Sequence, residues 1–176
     1  MVRFFCAAFI GFLLLLPKPS VADGEQAVFW SFNEFCLNKI TDIERVKSVA
    51  IVLGWEELSK DALNALAPLD KGDLNGWVVV NRGERFLLTT NKVPYAQINA
   101  TACTLLTFDR NVKNIRRMIE KNLNVMGNDF EEAASSLNYI YFVRTDANIP
   151  VQVTVAASKE NNNSVVKIEA VLQEKK

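Results

Sequence analysis

The last third of the chain alternates apolar and polar residues with a period of two, and this alternation restricts the fold more than any other feature. Over residues 151–155 valines alternate with Gln152 and Thr154, and over residues 166–170 apolar residues alternate with Lys167 and Glu169. Such segments form antiparallel strands with one face on the core and the other in water. We therefore predict three strands, within residues 137–144, 149–158 and 164–173.

Two shorter apolar segments precede this region and predict a hairpin. Residues 77–80 read WVVV and residues 85–90 read RFLLTT, with a short polar turn between them. Strand-forming residues on both sides of such a turn are typical of paired strands. After an interruption at Pro94 and Tyr95, residues 98–108 predict a third, longer strand.

The N-terminal part of the chain predicts helices instead. Residues 24–40 place apolar side chains every three or four positions. Thr41 and Glu44 match a capping box that would begin a second helix, and Gly54 is available to end it in a left-handed conformation. A third, short helix is expected over residues 59–67, with a serine as its N-cap.

One further helix is expected between the two groups of strands. Asp109 can cap it, its apolar stripe runs to about Val125, Gly127 can close it, and a short helical turn is expected around residues 130–135. Helices grouped against a meandering antiparallel sheet give an α+β domain. We expect an antiparallel sheet of about five to six strands, packed by the N-terminal helices and by this inserted helix.

Residues 1–22 have the three parts of a secretory signal peptide. Arg3 is followed by an apolar segment over residues 4–16 and then by small residues that end at Ala22. The apolar segment is shorter than the roughly 20 residues that a membrane span needs; a retained N-terminal anchor is the alternative. We expect cleavage after Ala22, which leaves a single α+β domain over residues 23–176.

The charge of the expected mature chain argues against two classes of partner. Loss of Arg3 and Lys18 reduces 20 basic residues to 18, against 20 acidic ones, for a net charge of −2. This balance predicts no nucleic-acid binding and no attraction to an anionic membrane. No integral membrane span is expected after cleavage.

The chain contains no histidine. This absence removes His-based catalytic triads and general bases, and the His ligands on which most zinc and copper sites depend. Carboxylates, lysines, tyrosines and serines remain, so catalysis is not excluded. We predict neither a metal nor a cofactor.

Two cysteines, Cys36 and Cys103, remain after cleavage, because Cys6 lies in the signal peptide. In an exported, oxidising setting an even number of cysteines predicts a disulfide. Two buried thiols or a redox pair are the alternatives, but neither a C-x-x-C spacing nor an adjoining charge favours redox chemistry. The disulfide would join the first helix to the third strand.

Basic residues line one side of the expected fourth helix: Arg110, Lys113, Arg116, Arg117 and Lys121. This stripe is a candidate surface for an anionic lipid headgroup, a polyanionic glycan or an acidic partner protein. A solvated helix face, with its cations toward the C-terminal end of the helix dipole, is the alternative.

Two pairs of adjacent carboxylates lie beside aromatic residues, at Glu56–Glu57 and Glu131–Glu132. Carboxylates are the groups that perform acid-base catalysis on sugars. Adjacent residues on a helix do not face each other, however, so neither pair forms a catalytic dyad by itself. Helix charge and solubility are the alternative roles.

Three tryptophans, Trp30, Trp55 and Trp77, are candidates for an apolar ligand pocket between helices and sheet, together with aromatic residues of the segment 139–142. Packing in the core is the alternative, since aromatic residues dominate protein cores.

A few residues give the chain a resemblance to small secreted proteins of Gram-negative bacteria. They are Phe32 four positions before Cys36, the pair Gly54–Trp55, the strand that opens at Trp77, and Cys103 in an apolar strand. The resemblance covers the N-terminal two thirds of the chain. It implies a periplasmic location and a disulfide, and it carries over no activity.

Taken together, the sequence predicts a periplasmic or secreted α+β domain, stapled by one disulfide, that acts as a non-catalytic binding or interaction module of the cell envelope. Its partner would be an envelope or extracellular protein or a glycan. One alternative is an envelope enzyme that uses carboxylates on a glycan or peptide, favoured by facing acids from the Glu56 and Glu131 regions. The other is a carrier of a small apolar ligand, favoured by a cavity lined by tryptophans.

Overall fold

A computed structural model describes residues 21–66, 73–95, 98–159 and 165–175, and these residues form an α+β fold. The described α-helices are α1 (Val21–Phe35), α2 (Glu44–Leu53), α3 (Lys60–Leu66) and α4 (Val112–Asn122), and a short 3₁₀-helix (Leu37–Lys39) follows α1. The described strands are β1 (Glu56–Glu57), β2 (Asn75–Asn81), β3 (Glu84–Tyr95), β4 (Ile98–Phe108), β5 (Asn124–Glu132), β6 (Ser136–Arg144), β7 (Pro150–Ser158) and β8 (Val165–Lys175).

Most of the expected signal peptide, residues 1–20, lies outside the described residues. Among the helices of the described ranges, none combines the length and the apolar character that a bilayer crossing requires.

The described strands form one antiparallel sheet in the order β1-β2-β3-β4-β8-β7-β6-β5. The α+β class is confirmed, but the predicted strand number of five to six is wrong, because the sheet within the described ranges has eight strands. The two additional strands are its edges. β1 has only two residues and therefore no readable period, and β5 is rich in Asn, Asp and Glu, which are depleted from strands in general.

The predicted hairpin is confirmed by the pairing of β2 with β3 from Asn75↔Thr90 to Asn81↔Glu84. Its turn places Arg82 and Gly83 at φ values of 53° and 79°. Two consecutive positive φ values match the type I′ turn, whose twist suits a two-residue hairpin. The interruption expected at Pro94 and Tyr95 is wrong, because both residues remain paired in β3.

The sheet consists of two meanders, β1 to β4 and β5 to β8, which join where β4 pairs with β8. β4 pairs with β8 over eleven positions, from Ile98↔Lys175 to Phe108↔Val165. α4 connects the two meanders and packs with α1 on one face of the sheet. Ile115 and Ile119 of α4 are fully buried there, as the predicted apolar stripe requires.

The strands alternate between this core face and an outer face. Val153, Val155 and Ile168 are fully buried, whereas Thr154 and Glu169 lie on the outer face and hydrogen-bond or ion-pair with polar neighbours. The predicted alternation is therefore confirmed. It fixes the pairing register of the strands, because a shift by one residue would move the valine side chains from the core face to the solvent face.

Cys36, directly after α1, is bonded to Cys103 in β4 with Cα atoms 5.2 Å apart. Both cysteines are fully buried. The predicted disulfide is therefore confirmed, and it ties the first helix to a central strand of the sheet.

The helix ends agree with the predictions in part. Gly54 ends α2 with φ of 65°, and the Ser59 hydroxyl accepts a backbone N–H in the first turn of α3, as expected. The capping box of Thr41 and Glu44 is wrong, because α2 has Ile43 as its N-cap and no side-chain cap. Backbone turns over residues 42–46 already bind the first N–H groups of this helix.

The segment around α4 departs most from the predictions. The N-cap is Asn111, whose side chain accepts the N–H of Lys113, while Asp109 has φ of 53° before the helix and does not cap it. α4 ends at Asn122, so the expected extension to Val125 is wrong. Gly127 does not close a helix, and the expected helical turn at 130–135 is wrong as well, because residues 124–132 form β5.

Candidate functional site

The structure separates the five basic residues predicted to form one stripe. Arg110 precedes α4 and forms a mostly buried ion pair with Glu84 of β3. Lys113, Arg117 and Lys121 are exposed on α4. Arg116 lies apart from these three in a groove beside the sheet. The anionic-partner surface stays a prediction, and its exposed part consists of three cations.

The three tryptophans predicted to line a pocket make packing contacts. Trp77 is buried and meets Trp55 edge-on with ring centroids 6.5 Å apart, and Trp55 meets Phe35 in the same way at 4.9 Å. Trp30 packs edge-on against Phe29 at 5.1 Å. Contacts of this geometry are typical of aromatic cores. A ligand pocket at these tryptophans stays a prediction.

The two acidic pairs lie far apart in the sheet. Glu56–Glu57 form β1 at one edge, and Glu131–Glu132 end β5 at the opposite edge. Seven strand spacings of about 4.8 Å separate the edges by roughly 34 Å along the sheet, whereas glycosidase carboxylates lie about 5–9.5 Å apart. The structure therefore does not bring these pairs into one cleft.

The side chains that do converge form a solvent-open groove where α4 passes over β5 and β6. We call it the α4–β5–β6 groove. It has a volume of about 530 Å³ and is lined by Arg116, Asn128, Asp129, Phe130, Tyr139 and Tyr141. Its volume lies in the range of ligand-binding clefts, about 300–1,000 Å³.

Local sequence explains how α4 presents its side of the groove. Ile115 and Ile119 anchor the helix on the core. Arg116 and Glu120 follow these residues by one position each, so they lie together one turn apart on the flank of the helix. Pairing of β5 with β6 sets Phe130 opposite Tyr139 and Asn128 opposite Tyr141 on the same face of the sheet.

Arg116 is held by three neighbours. Its guanidinium carbon lies 3.7 Å from the centroid of the Tyr139 ring, a cation–π contact. Its Nε donates to the Tyr141 hydroxyl at 2.9 Å, and its Nη2 lies 3.5 Å from Glu120 Oε1. Within the described residues these contacts use Nε and Nη2, which leaves Nη1 for a ligand.

Tyr141 links the helix to the sheet at the bottom of the groove. Its hydroxyl accepts from Arg116 and donates to Glu120 Oε1 at 2.9 Å, while its ring is buried. Burial raises the pKa of Tyr141; the hydrogen bond from Arg116 opposes this shift, and the bond to Glu120 adds to it. The hydroxyl therefore stays protonated at neutral pH and fixes the position of both charged partners.

Two aromatic rings form the other wall of the groove. Phe130 and Tyr139 lie with centroids 5.1 Å apart at an interplanar angle of 42°. Phe130 is 50% exposed although it is a large apolar residue. The Asp129 side chain accepts the N–H of Phe130 at 2.7 Å and so fixes the backbone at this ring.

The groove therefore offers an exposed aromatic surface, an amide, and a fixed cation that is paired with the Glu120 carboxylate. This combination can bind and orient a polar ligand with an apolar face. Among the described residues that line the groove there is no cysteine, serine or histidine.

The sequence pattern predicts Arg116 as a site residue but not Asn128, Asp129 or Phe130. It groups Tyr139 and Tyr141 with the tryptophans. One signal was present, because Phe130 stands between Asp129 and Glu131, and an apolar ring among acids is a candidate exposed contact residue. Its partner Tyr139 became visible only with the register of β5 on β6.

No protein-family model, curated protein or solved structure matches this chain.

Proposed function

We propose that this protein is an exported, non-catalytic binding module of the cell envelope, and that the α4–β5–β6 groove is its binding site. The observation that carries the proposal is the fixed guanidinium of Arg116, stacked on Tyr139 and open to solvent beside the half-exposed ring of Phe130. Polar and aromatic groups that are held in place by neighbours lose little entropy when a ligand binds.

The disulfide supports the exported location. Such bonds form and persist in oxidising compartments and are rare in a reducing cytosol. The sequence of residues 1–22 supports the same location through its basic start, apolar segment and small residues before the expected cleavage site. The resemblance to secreted proteins of Gram-negative bacteria makes the periplasm the compartment that we propose.

The chemistry of the chain supports binding over catalysis. The sequence lacks histidine, and the acidic pairs that would favour a glycosidase lie at opposite edges of the sheet. The tryptophans that would favour a carrier of apolar ligands make contacts with other aromatic residues. These features therefore favour the binding module over both the carboxylate-dependent enzyme and the carrier of an apolar ligand.

Intact-mass spectrometry of the protein from its natural source tests the proposed location. We expect a chain that begins at Asp23 and gains about 2 Da on reduction, because breaking one disulfide adds two hydrogens. A chain that begins at Met1, or one whose Cys36 and Cys103 react with maleimide in denaturant before reduction, contradicts export to an oxidising compartment.

Co-sedimentation with isolated envelope material tests the proposed site. We expect Arg116→Gln to reduce the bound fraction at least fivefold, since it removes the cation that the groove presents. Arg45→Gln is the matched control, because Arg45 at the start of α2 forms an exposed ion pair with Asp42, which precedes the helix. Circular dichroism checks that both variants are folded. Equal binding of the two variants contradicts the assignment of the groove.

A further inference from the structure

We infer that the α4–β5–β6 groove recognises a pyranose ring of a neutral glycan, an inference that rests on the proposed binding function. Three properties of the groove lead to this ligand class: its exposed aromatic surface, its balanced charge and its mixture of hydrogen-bond donors and acceptors.

The aromatic surface suits the apolar face of a sugar ring. One face of Tyr139 is covered by the Arg116 guanidinium, whereas half of Phe130 remains exposed. Aromatic faces carry a partial negative charge and attract the partly positive C–H groups that line one face of a pyranose. Phe130 is therefore the platform on which a sugar ring would lie, and Tyr139 forms the adjoining wall.

The charges of the groove are nearly balanced, which disfavours an ionic ligand. Arg116 lies 3.5 Å from Glu120, so the cation is paired with one carboxylate beside the groove. An anionic ligand would meet Glu120, and a cationic ligand would meet Arg116. A neutral ligand avoids both repulsions.

The polar groups of the groove match hydroxyl groups in kind. Arg116 donates only, Glu120 beside it accepts only, and the amide of Asn128 does both. A hydroxyl is both a donor and an acceptor, so adjacent hydroxyls of one ring can satisfy all three side chains. A ligand that carries only acceptors, such as a carboxylate, satisfies only some of them.

The properties of the edge strand β5 disfavour the main alternative ligand, an extended peptide that would pair with this strand. The pairing of β5 with β6 is irregular between Val125 and Gly127, and the N–H of Phe130 is already bound by the Asp129 side chain. Glu131 and Glu132 place further exposed charges on this strand. Bulges and charges of this kind oppose strand addition at a sheet edge.

Titration of the ¹⁵N-labelled protein, expressed from the full-length coding sequence, tests the ligand class. The neutral probes are maltotetraose, cellotetraose and the tetramer of β-1,4-linked N-acetylglucosamine. The rival probes are tetragalacturonic acid and a hexapeptide of alternating valine and lysine. We expect at least one neutral tetrasaccharide to shift the amide resonances of residues 128–130 and 139–141 saturably, and more tightly than tetragalacturonic acid.

Two exposed phenylalanines on neighbouring strands provide the matched variants. Phe130→Ala removes the platform, and we expect it to weaken binding of that tetrasaccharide at least tenfold. Phe142→Ala removes a ring of similar exposure, 45% against 50%, on the outer face of β6, and we expect a change of less than twofold. Equal losses in the two variants overturn the inference.

The remaining outcomes separate this inference from the proposed function. If only tetragalacturonic acid or only the peptide shifts the groove resonances, the groove binds ligands but the neutral glycan is wrong. If none of the five probes shifts these resonances, the glycan inference is overturned. Equal co-sedimentation of the Arg116→Gln and Arg45→Gln variants then overturns the assignment of the groove as well.

Discussion

The guanidinium carbon of Arg116 lies 3.7 Å from the centroid of the Tyr139 ring, so a helix residue is stacked on a residue of the sheet. The same guanidinium donates to Tyr141, two residues further along β6. Stacking and hydrogen bonding together orient the planar cation in two directions. The position of the groove therefore follows from how α4 docks on β6.

Replacement of Tyr141 by phenylalanine should destabilise the fold in a pH-dependent way. At pH 8 we expect a loss of about 1–2 kcal/mol in the free energy of unfolding, because Arg116 and Glu120 each lose a buried partner. The measurement is urea unfolding of the wild type and of Tyr141→Phe between pH 8 and pH 11.

The sign of the pH effect follows from the pKa of Tyr141, which is raised in the folded state, chiefly by burial. The folded state holds this proton more tightly than the unfolded state, whose tyrosine pKa is about 10. This contribution is complete below pH 10 and is lost as pH rises through the folded pKa. We therefore expect the stability gap between wild type and variant to narrow above pH 10; a constant gap contradicts the assignment.

Loss of the disulfide should be the largest single destabilisation among the changes considered. Cys36 and Cys103 are 67 positions apart, and a loop of that length corresponds to about 4 kcal/mol in the chain-entropy model. Urea unfolding of Cys103→Ala against the oxidised wild type measures this loss. The double variant Cys36→Ala/Cys103→Ala should not differ from Cys103→Ala by more than the packing cost of one sulfur. Unfolding midpoints that coincide for wild type and variants would contradict a stabilising role.

The ion pair of Arg110 with Glu84 should contribute more than an exposed pair. Its side chains are only 19% and 24% exposed, and the guanidinium packs against the backbone of Gly24 in α1. Glu84→Gln leaves a mostly buried cation without its counter-charge, and we expect a loss of about 2 kcal/mol. Glu44→Gln is the matched control in the exposed pair with Lys92, and it should cost less than about 0.5 kcal/mol. Equal losses by urea unfolding refute this ranking.

Gly76 allows α3 to pack closely on β2. A Cβ atom at this position would lie 2.7 Å from Leu63 Cδ2 and 3.0 Å from Leu58 Cδ1. We expect Gly76→Ala to cost about 1–2 kcal/mol through overpacking. Because Leu63 is the closest obstacle, the same substitution in a Leu63→Ala background should cost clearly less. A cost that is independent of Leu63 shows that the strain lies elsewhere.

The parts of the fold that were predictable are those whose residues carry a strong period. β4, β7 and β8 alternate or run apolar over long stretches, and their bounds agree closely with the sequence pattern. The disulfide was predictable because an expected export signal and an even number of remaining cysteines both favour one. Ser59 and Gly54 were recognisable by the side-chain and backbone requirements of helix ends.

The edge strand β5 was not predictable for a physical reason. Asn124, Asn128 and Asp129 favour turns and caps when they are considered alone, and the strand forms because β6 supplies a pairing partner. The irregularity between Val125 and Gly127 shifts the register, and this shift sets Phe130 opposite Tyr139. Since the groove depends on that register, its residues could not be grouped from spacing along the chain.

The most direct test of the groove as a binding site compares two phenylalanine variants in binding to isolated envelope material. Phe130 and Phe142 are similarly exposed, so removing either ring should affect folding to a similar degree. They lie on opposite faces of the β5–β6 pair, so only Phe130 borders the groove. The measured quantity is the fraction of each variant that co-sediments. We expect the Phe142→Ala protein to bind like the wild type and the Phe130→Ala protein to lose at least four fifths of its binding. Equal binding by both variants would contradict the groove as the functional site.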